Sequence, residues 1–199
     1  MIKKKCLFLI LIISVLTNIQ AQGNPLKSAT LGLKSGINFA TVIENNDNNI
    51  DFRTDFYLGL AVEAMITDKF GFQIESFYSR QGFNYEDPID SKKEAVKIDY
   101  IQVPILAKAY LVNGLNIQAG LQMGFKVNEN INSNSFLNSH NTSTKSIKKF
   151  DLQLSSGIEY KFKTGFFTQI RYNYGLSEVI ENSELHNSIF SLGIGYMFY

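Results

Sequence analysis

The chain is poor in several kinds of residue and segment, and each scarcity removes a class of protein. It has one cysteine, Cys6, inside an apolar N-terminal run, so no pair exists to staple a small secreted scaffold. Its charge is nearly balanced, at +1 overall. Without Lys3, Lys4 and Lys5 the balance becomes 16 basic against 18 acidic residues, which leaves no basic footprint for nucleic acid. No apolar run beyond residue 21 is long enough for a transmembrane helix. Histidine occurs twice, at His140 and His186, so acid–base chemistry at neutral pH has few candidates. What remains is a chain with 45% hydrophobic and 13% aromatic residues, far too apolar for a disordered secreted protein.

The N-terminus reads as a secretory leader. Lys3, Lys4 and Lys5 form a positive start, Cys6–Leu16 is apolar apart from Ser14, and Thr17–Ala21 is a small, polar exit. The apolar run is too short to span a membrane as a stable helix. A lipid anchor would need its cysteine after that run, and Cys6 lies within its start. The expected organisation is a leader over 1–21 and one domain over 22–199.

That domain carries one pattern, clearest in Leu115–Val127. Every odd position there is apolar, and every even position is polar or glycine. A period of two puts alternate side chains on opposite faces of a strand. Thirteen residues of it exceed the average soluble strand and suit a tilted bilayer crossing, which takes roughly 9–11 residues. The alternation recurs in Thr30–Ala40, Phe56–Met65, Phe70–Gln81, Ile98–Tyr110, Phe150–Tyr160, Phe166–Gly175 and Ser188–Tyr199, which makes eight strands.

Connections between these segments alternate in length. Ile66–Lys69, Leu111–Gly114 and Lys161–Gly165 are short and carry turn formers such as Asn113-Gly114. Thr41–Asp55, Gly82–Lys97, Asn128–Lys149 and Leu176–Asn187 are long and rich in Asn, Asp, Ser and Lys. Short turns on one side and long polar loops on the other are the asymmetry of a membrane barrel. A soluble eight-stranded barrel also alternates, but its second face would need many charges to meet water. Here that face is mostly Gly, Gln, Asn and Ser, which suits a packed polar lumen. Aromatics near strand ends complete the pattern of interfacial girdles: Phe39, Phe56, Phe70, Tyr110, Phe125, Phe150, Tyr160, Phe166, Tyr174 and Phe198. The expected fold is an all-β, eight-stranded antiparallel up-and-down transmembrane barrel with long extracellular loops and short periplasmic turns.

Three stretches resemble a known family. They are Tyr100-Ile-Gln-Val-Pro-Ile-Leu-Ala-Lys108, Arg171-Tyr-Asn-Tyr-Gly-Leu-Ser177 and Leu192-Gly-Ile-Gly-Tyr-Met-Phe-Tyr199. Their order and spacing are similar to those of the PorT-like outer-membrane beta-barrel family of the Bacteroidota, often labelled "porin family protein". The resemblance implies an OmpA/OmpX-like barrel in the outer membrane. It also implies a C-terminal signal for the barrel assembly machinery at Tyr196, Phe198 and Tyr199, where Phe is the more usual last residue. The family's named member is linked to type IX protein secretion, so an accessory secretion role is the alternative to a structural or surface-contact role.

Candidate sites are few. The ionisable residues on the polar faces include Lys34, Glu63, Glu75, Lys108, Glu159 and Arg171. Counted from the short turns, Lys34, Glu75 and Arg171 share a mid-barrel height, with Glu63, Lys108 and Glu159 nearer the periplasmic end. Eight strands enclose a bore that side chains fill, so these charges are expected to pair into a neutral plug, the alternative being a proton or ion path. Pro104, which has no ladder donor, points to a bulge or kink in the fourth strand. Asp47-Asn-Asn-Ile-Asp51 is half of a calcium loop, but Phe52 and Leu58 occupy the required glycine and bidentate glutamate positions. His140 and His186 both fall in long loops; Ser139 adjoins His140, but neither histidine has a sequence neighbour that argues for a nucleophile on a rigid strand end, and a lipid-modifying enzyme is the least favoured reading. No catalytic residue, cofactor or metal is therefore expected. The expected partners are outer-membrane lipid, the assembly machinery during biogenesis and an unidentified envelope or surface protein, for a protein that is itself a monomer.

Overall fold

A computed structural model describes residues 28–43, 50–86, 93–131, 147–179 and 185–199. The expected leader, His140, Asp47 and Ser133–Ser143 lie outside these residues. Eight strands follow one another: β1 (Ser28–Ile43), β2 (Ile50–Met65), β3 (Phe70–Glu86), β4 (Lys93–Val112), β5 (Leu115–Ile131), β6 (Phe150–Lys161), β7 (Phe166–Glu178) and β8 (His186–Phe198). Each pairs antiparallel with its neighbours in sequence, and β1 pairs with β8 from Leu31↔Phe198 to Ile43↔His186, so the sheet closes into a barrel. Closure removes every free edge, the condition a sheet must meet to cross a bilayer.

The barrel is inside-out relative to a soluble one. Leu58, Leu121, Leu154 and Ile170 are 46–58% exposed on the outer wall, whereas Gln102, Gln153 and Ser155 are fully buried inside. An apolar outer band of this extent is a membrane surface and is far larger than the apolar patches of soluble monomers. The direction of the apolar face thus rules out the soluble barrel that alternation alone also allows.

The strands extend beyond the apolar alternation. β2 begins at Ile50 instead of Phe56, β3 runs to Glu86, β4 starts at Lys93 and β5 reaches Ile131. Alternation reports the contrast between lipid and lumen. Outside the bilayer both faces of a ladder can be polar while its backbone pairing continues, so the pattern fades before the strand ends. The outer rim is uneven as a result: β3 and β4 stay paired out to Glu86↔Lys93, whereas β5 and β6 separate above Phe125↔Phe150.

Pro104 causes no register shift. Ile74↔Ile105 and Phe77↔Gln102 keep the β3–β4 register on either side, and Pro104 itself faces Gln122. The irregularities lie near the ends of the β4–β5 ladder, between Asp99 and Tyr100 and between Tyr110 and Val112. The turn at Asn113-Gly114 uses the freedom of glycine, since Gly114 has φ +85°. A second glycine requirement lies within the wall. Gly36 and Gly193 face each other across β1 and β8, and a Cβ on Gly193 would lie 2.0 Å from the Tyr57 hydroxyl. The missing side chains let the Tyr57 ring lie across the lumen.

Candidate functional site: the ion-paired lumen

Every polar face converges on the bore, so the site is a column of side chains. At mid-height, Glu75 of β3 accepts from Lys34 Nζ of β1 at 2.7 Å and from both terminal nitrogens of Arg171 of β7 at 2.8 and 2.7 Å. The fork-on-carboxylate geometry adds direction to the charge attraction. Arg171 also donates to Gln118 Oε1 at 2.6 Å, and the Lys34 ammonium lies over the Phe77 and Tyr57 rings at 4.8 and 5.1 Å.

A second cluster lies toward the periplasmic end. Lys108 Nζ of β4 donates to Glu63 of β2 and Glu159 of β6, both at 2.6 Å. Lys161 pairs with Glu63 as well, the Tyr110 hydroxyl donates to Glu63 at 2.9 Å, and Asn116 donates to Glu159 at 3.1 Å. Gln73 joins the two clusters. Its carbonyl oxygen accepts from Lys108 at 2.8 Å and its amide donates to Glu75 at 2.5 Å.

Toward the outer mouth Asp151 is buried among neutral donors: Gln153 and Asn187 at 2.6 Å each, and Ser177 at 2.8 Å. Gln122 donates on to Gln153 at 2.8 Å. Above this level the lumen turns apolar. Val42, Phe83, Val96, Ile98 and Tyr100 pack with Ile147, Val179 and Leu185, three residues from the connections, to form a cap. The Lys126 ammonium donates to Ile147 O at 2.7 Å and Lys148 N donates to Val179 O at 2.9 Å, which tie the β5–β6 connection to β5 and to the β7–β8 connection.

The lumen so built is neutral: Lys34, Lys108, Lys161 and Arg171 face Glu63, Glu75, Glu159 and Asp151 among the described residues. Charges inside a membrane barrel are held at great cost unless paired and hydrogen-bonded, and most of these are. Between the mid-height cluster and the outer polar layer a cavity of about 10 Å³ remains, lined by Lys34, Arg171, Ser79, Gln122 and neighbouring polar residues. It has room for about one water molecule.

All six residues singled out from sequence lie in the lumen and fall into these two clusters. Three further ionisable residues join them: Lys161, Asp151 and Tyr110. Tyr110 carries a correction, since its hydroxyl binds Glu63 inside the periplasmic mouth and its ring is not part of the outer girdle. Its even position on β4, in phase with Tyr100, Gln102 and Lys108, was the available signal. His186 likewise is the first residue of β8 and not a loop residue; its ring stacks on Tyr174 at 6.2 Å. Tyr196 and Phe198 face outward with ring centroids 5.3 Å apart, and Tyr199 beyond them is 79% exposed. Among the described residues no group of three His, Cys, Asp or Glu is placed to hold a metal.

Comparison with known proteins agrees with this geometry. The family described as "Outer membrane protein beta-barrel domain" matches residues 20–181. No curated protein matches the chain. Among solved structures, Neisserial surface protein A superimposes with a TM-score of 0.55 at 10% identity, covering 86% of this chain and 100% of that one. Ail, the attachment invasion locus protein of Yersinia pestis, solved with the heparin analogue sucrose octasulfate, gives 0.51 at 13% identity, over 86% of this chain and 99% of Ail. OprG from Pseudomonas aeruginosa gives 0.51 at 15% identity, over 87% and 97%. At these identities the likeness is one of fold.

Proposed function

Because the chain belongs to the outer membrane protein beta-barrel domain family, we propose that it serves as an outer-membrane scaffold. Its lumen is a closed ionic core, and it acts through the segments at its outer rim rather than by transport or catalysis. The observation that carries this reading is the hydrogen-bonded lumen from Asp151 to Lys161, capped by Ile147, Val179 and Leu185. A bore so filled does not conduct, and eight strands leave no room to widen it, since water-filled channels take about 16. The paired rim of β3 and β4 and the pinned connections offer a rigid base for contacts on the outer side. The narrower PorT-like resemblance, which rests on the three motifs, supports the accessory secretion role in its place.

Site-specific photo-crosslinking in intact cells separates these readings. A crosslinker at Glu129, on the outer rim, is expected to capture the partner, and one at Asp68, in a periplasmic turn, is not. Capture from Asp68 alone would transfer support to the secretion role.

A further inference from the structure

The outer wall is not evenly convex. A groove of about 780 Å³ crosses it from β6 through β7, β8 and β1 to β2. Its axis follows one row of cross-strand partners, Tyr160–Thr168–Ile194–Ser35–Leu58. Ser35 and Thr168 are the short members of the row; on either side of Ile194 they leave the space that larger side chains would fill.

The register sets the groove's slope across the membrane. On β1 the row crosses at Ser35, the third of five outward positions from Leu31 to Phe39, and so at the centre of the apolar band. On β7 it crosses at Thr168, only two residues after the strand begins at Phe166. The groove therefore descends from mid-bilayer on β1 and β2 to the periplasmic interface at β6 and β7. There Tyr160 packs on Phe162 at 4.8 Å, and Lys163 stands exposed in the turn with no ion pair among the described residues. Four strand spacings make the row about 19 Å long, against about 15 Å for one half of the hydrocarbon core.

We propose that this groove is a binding site for one anionic phospholipid of the periplasmic leaflet, with an acyl chain along the Thr168–Ser35 row and the phosphate at Lys163. The apolar lining continues the membrane-facing wall, which is already a lipid interface. Lys163, exposed and without an ion pair among the described residues, fits a phosphate at the low end and fixes the leaflet. An outer-leaflet lipid would have its headgroup at the other end of the barrel, where the groove does not reach.

Native mass spectrometry of the detergent-purified full chain supplied with phosphatidylglycerol tests this directly. Wild type is expected to retain one lipid per barrel, in preference to phosphatidylcholine and to lipopolysaccharide. Filling the groove with Ser35→Leu and Thr168→Leu should lower retention at least about tenfold. Lys163→Gln should lower it about fivefold, the worth of one cation at an anionic surface. Ala107→Leu with Ala119→Leu, on the opposite wall, should change nothing. Equal retention by the filled barrel, no retention by wild type, or preference for lipopolysaccharide would each overturn the assignment. Lys163 lies in an exposed turn, so Lys163→Gln tests the site even where the filled barrel folds poorly.

Discussion

Replacing Glu75 by glutamine should be among the most damaging single substitutions that keep side-chain size. Glu75 is 2% exposed and accepts from Lys34, twice from Arg171 and from Gln73. With the carboxylate neutralised, two cations lie close together in the bilayer with no counter-charge, and the amide that replaces it turns at least one donor toward them. Breaking a buried pair by removing one partner costs about 3–5 kcal/mol. Lys34→Met is a different case, because the bidentate Arg171–Glu75 pair survives and the cluster becomes neutral; its cost should stay below about 1.5 kcal/mol. The double variant holds only the Arg171 charge, so its loss should fall short of the sum by at least about 1 kcal/mol. Urea titration of the barrel in lipid vesicles, read by heat-modifiable gel mobility, supplies the three numbers. A Glu75→Gln loss under about 1 kcal/mol, additive with Lys34→Met, would show that the lumen cluster is solvated and unpaired in effect.

Other outcomes are also measurable. Leu121→Arg or Leu154→Arg, partners on the lipid face of β5 and β6, should each cost roughly 2–4 kcal/mol in the same titration, and equal tolerance of lipid-face and loop changes would mean the faces are inverted. Ile147→Ala should loosen the outer cap by about 2–4 kcal/mol without preventing closure of the barrel. Deletion of Ser133–Ser143, which retains Ile147, should leave heat-modifiable mobility intact, because surface insertions couple weakly to stability. In planar bilayers the purified protein should stay silent or give only rare small events; stable steps of porin size would contradict the filled lumen.

The sequence by itself determined how many times this chain crosses the membrane and which side chains face inward. Leu115–Val127 shows the two opposed faces, and the recurrence of its alternation in seven further segments gives the count; the near-absence of charge on the polar face, more than the period itself, points that face into a lumen. The inward parity of Lys34, Glu75 and Arg171 was legible in the same way. Tyr110 was equally in phase, but a residue near a strand end satisfies two descriptions, girdle or mouth, until its neighbours are known. Tertiary structure decided the partners. Lys34 meets Glu75 41 residues away, and Arg171 meets it from 96 residues away. Those contacts depend on the stagger with which β8 closes on β1, a property of the whole ring that no single strand encodes. The groove has the same origin, since Ser35 and Thr168 share a row only because that register brings both to Ile194. The outer cap was hidden for the opposite reason: above the bilayer the apolar requirement relaxes, so Ile147, Val179 and Leu185 lie in polar stretches with no period to mark them, and only packing against Phe83 and Val96 identifies them.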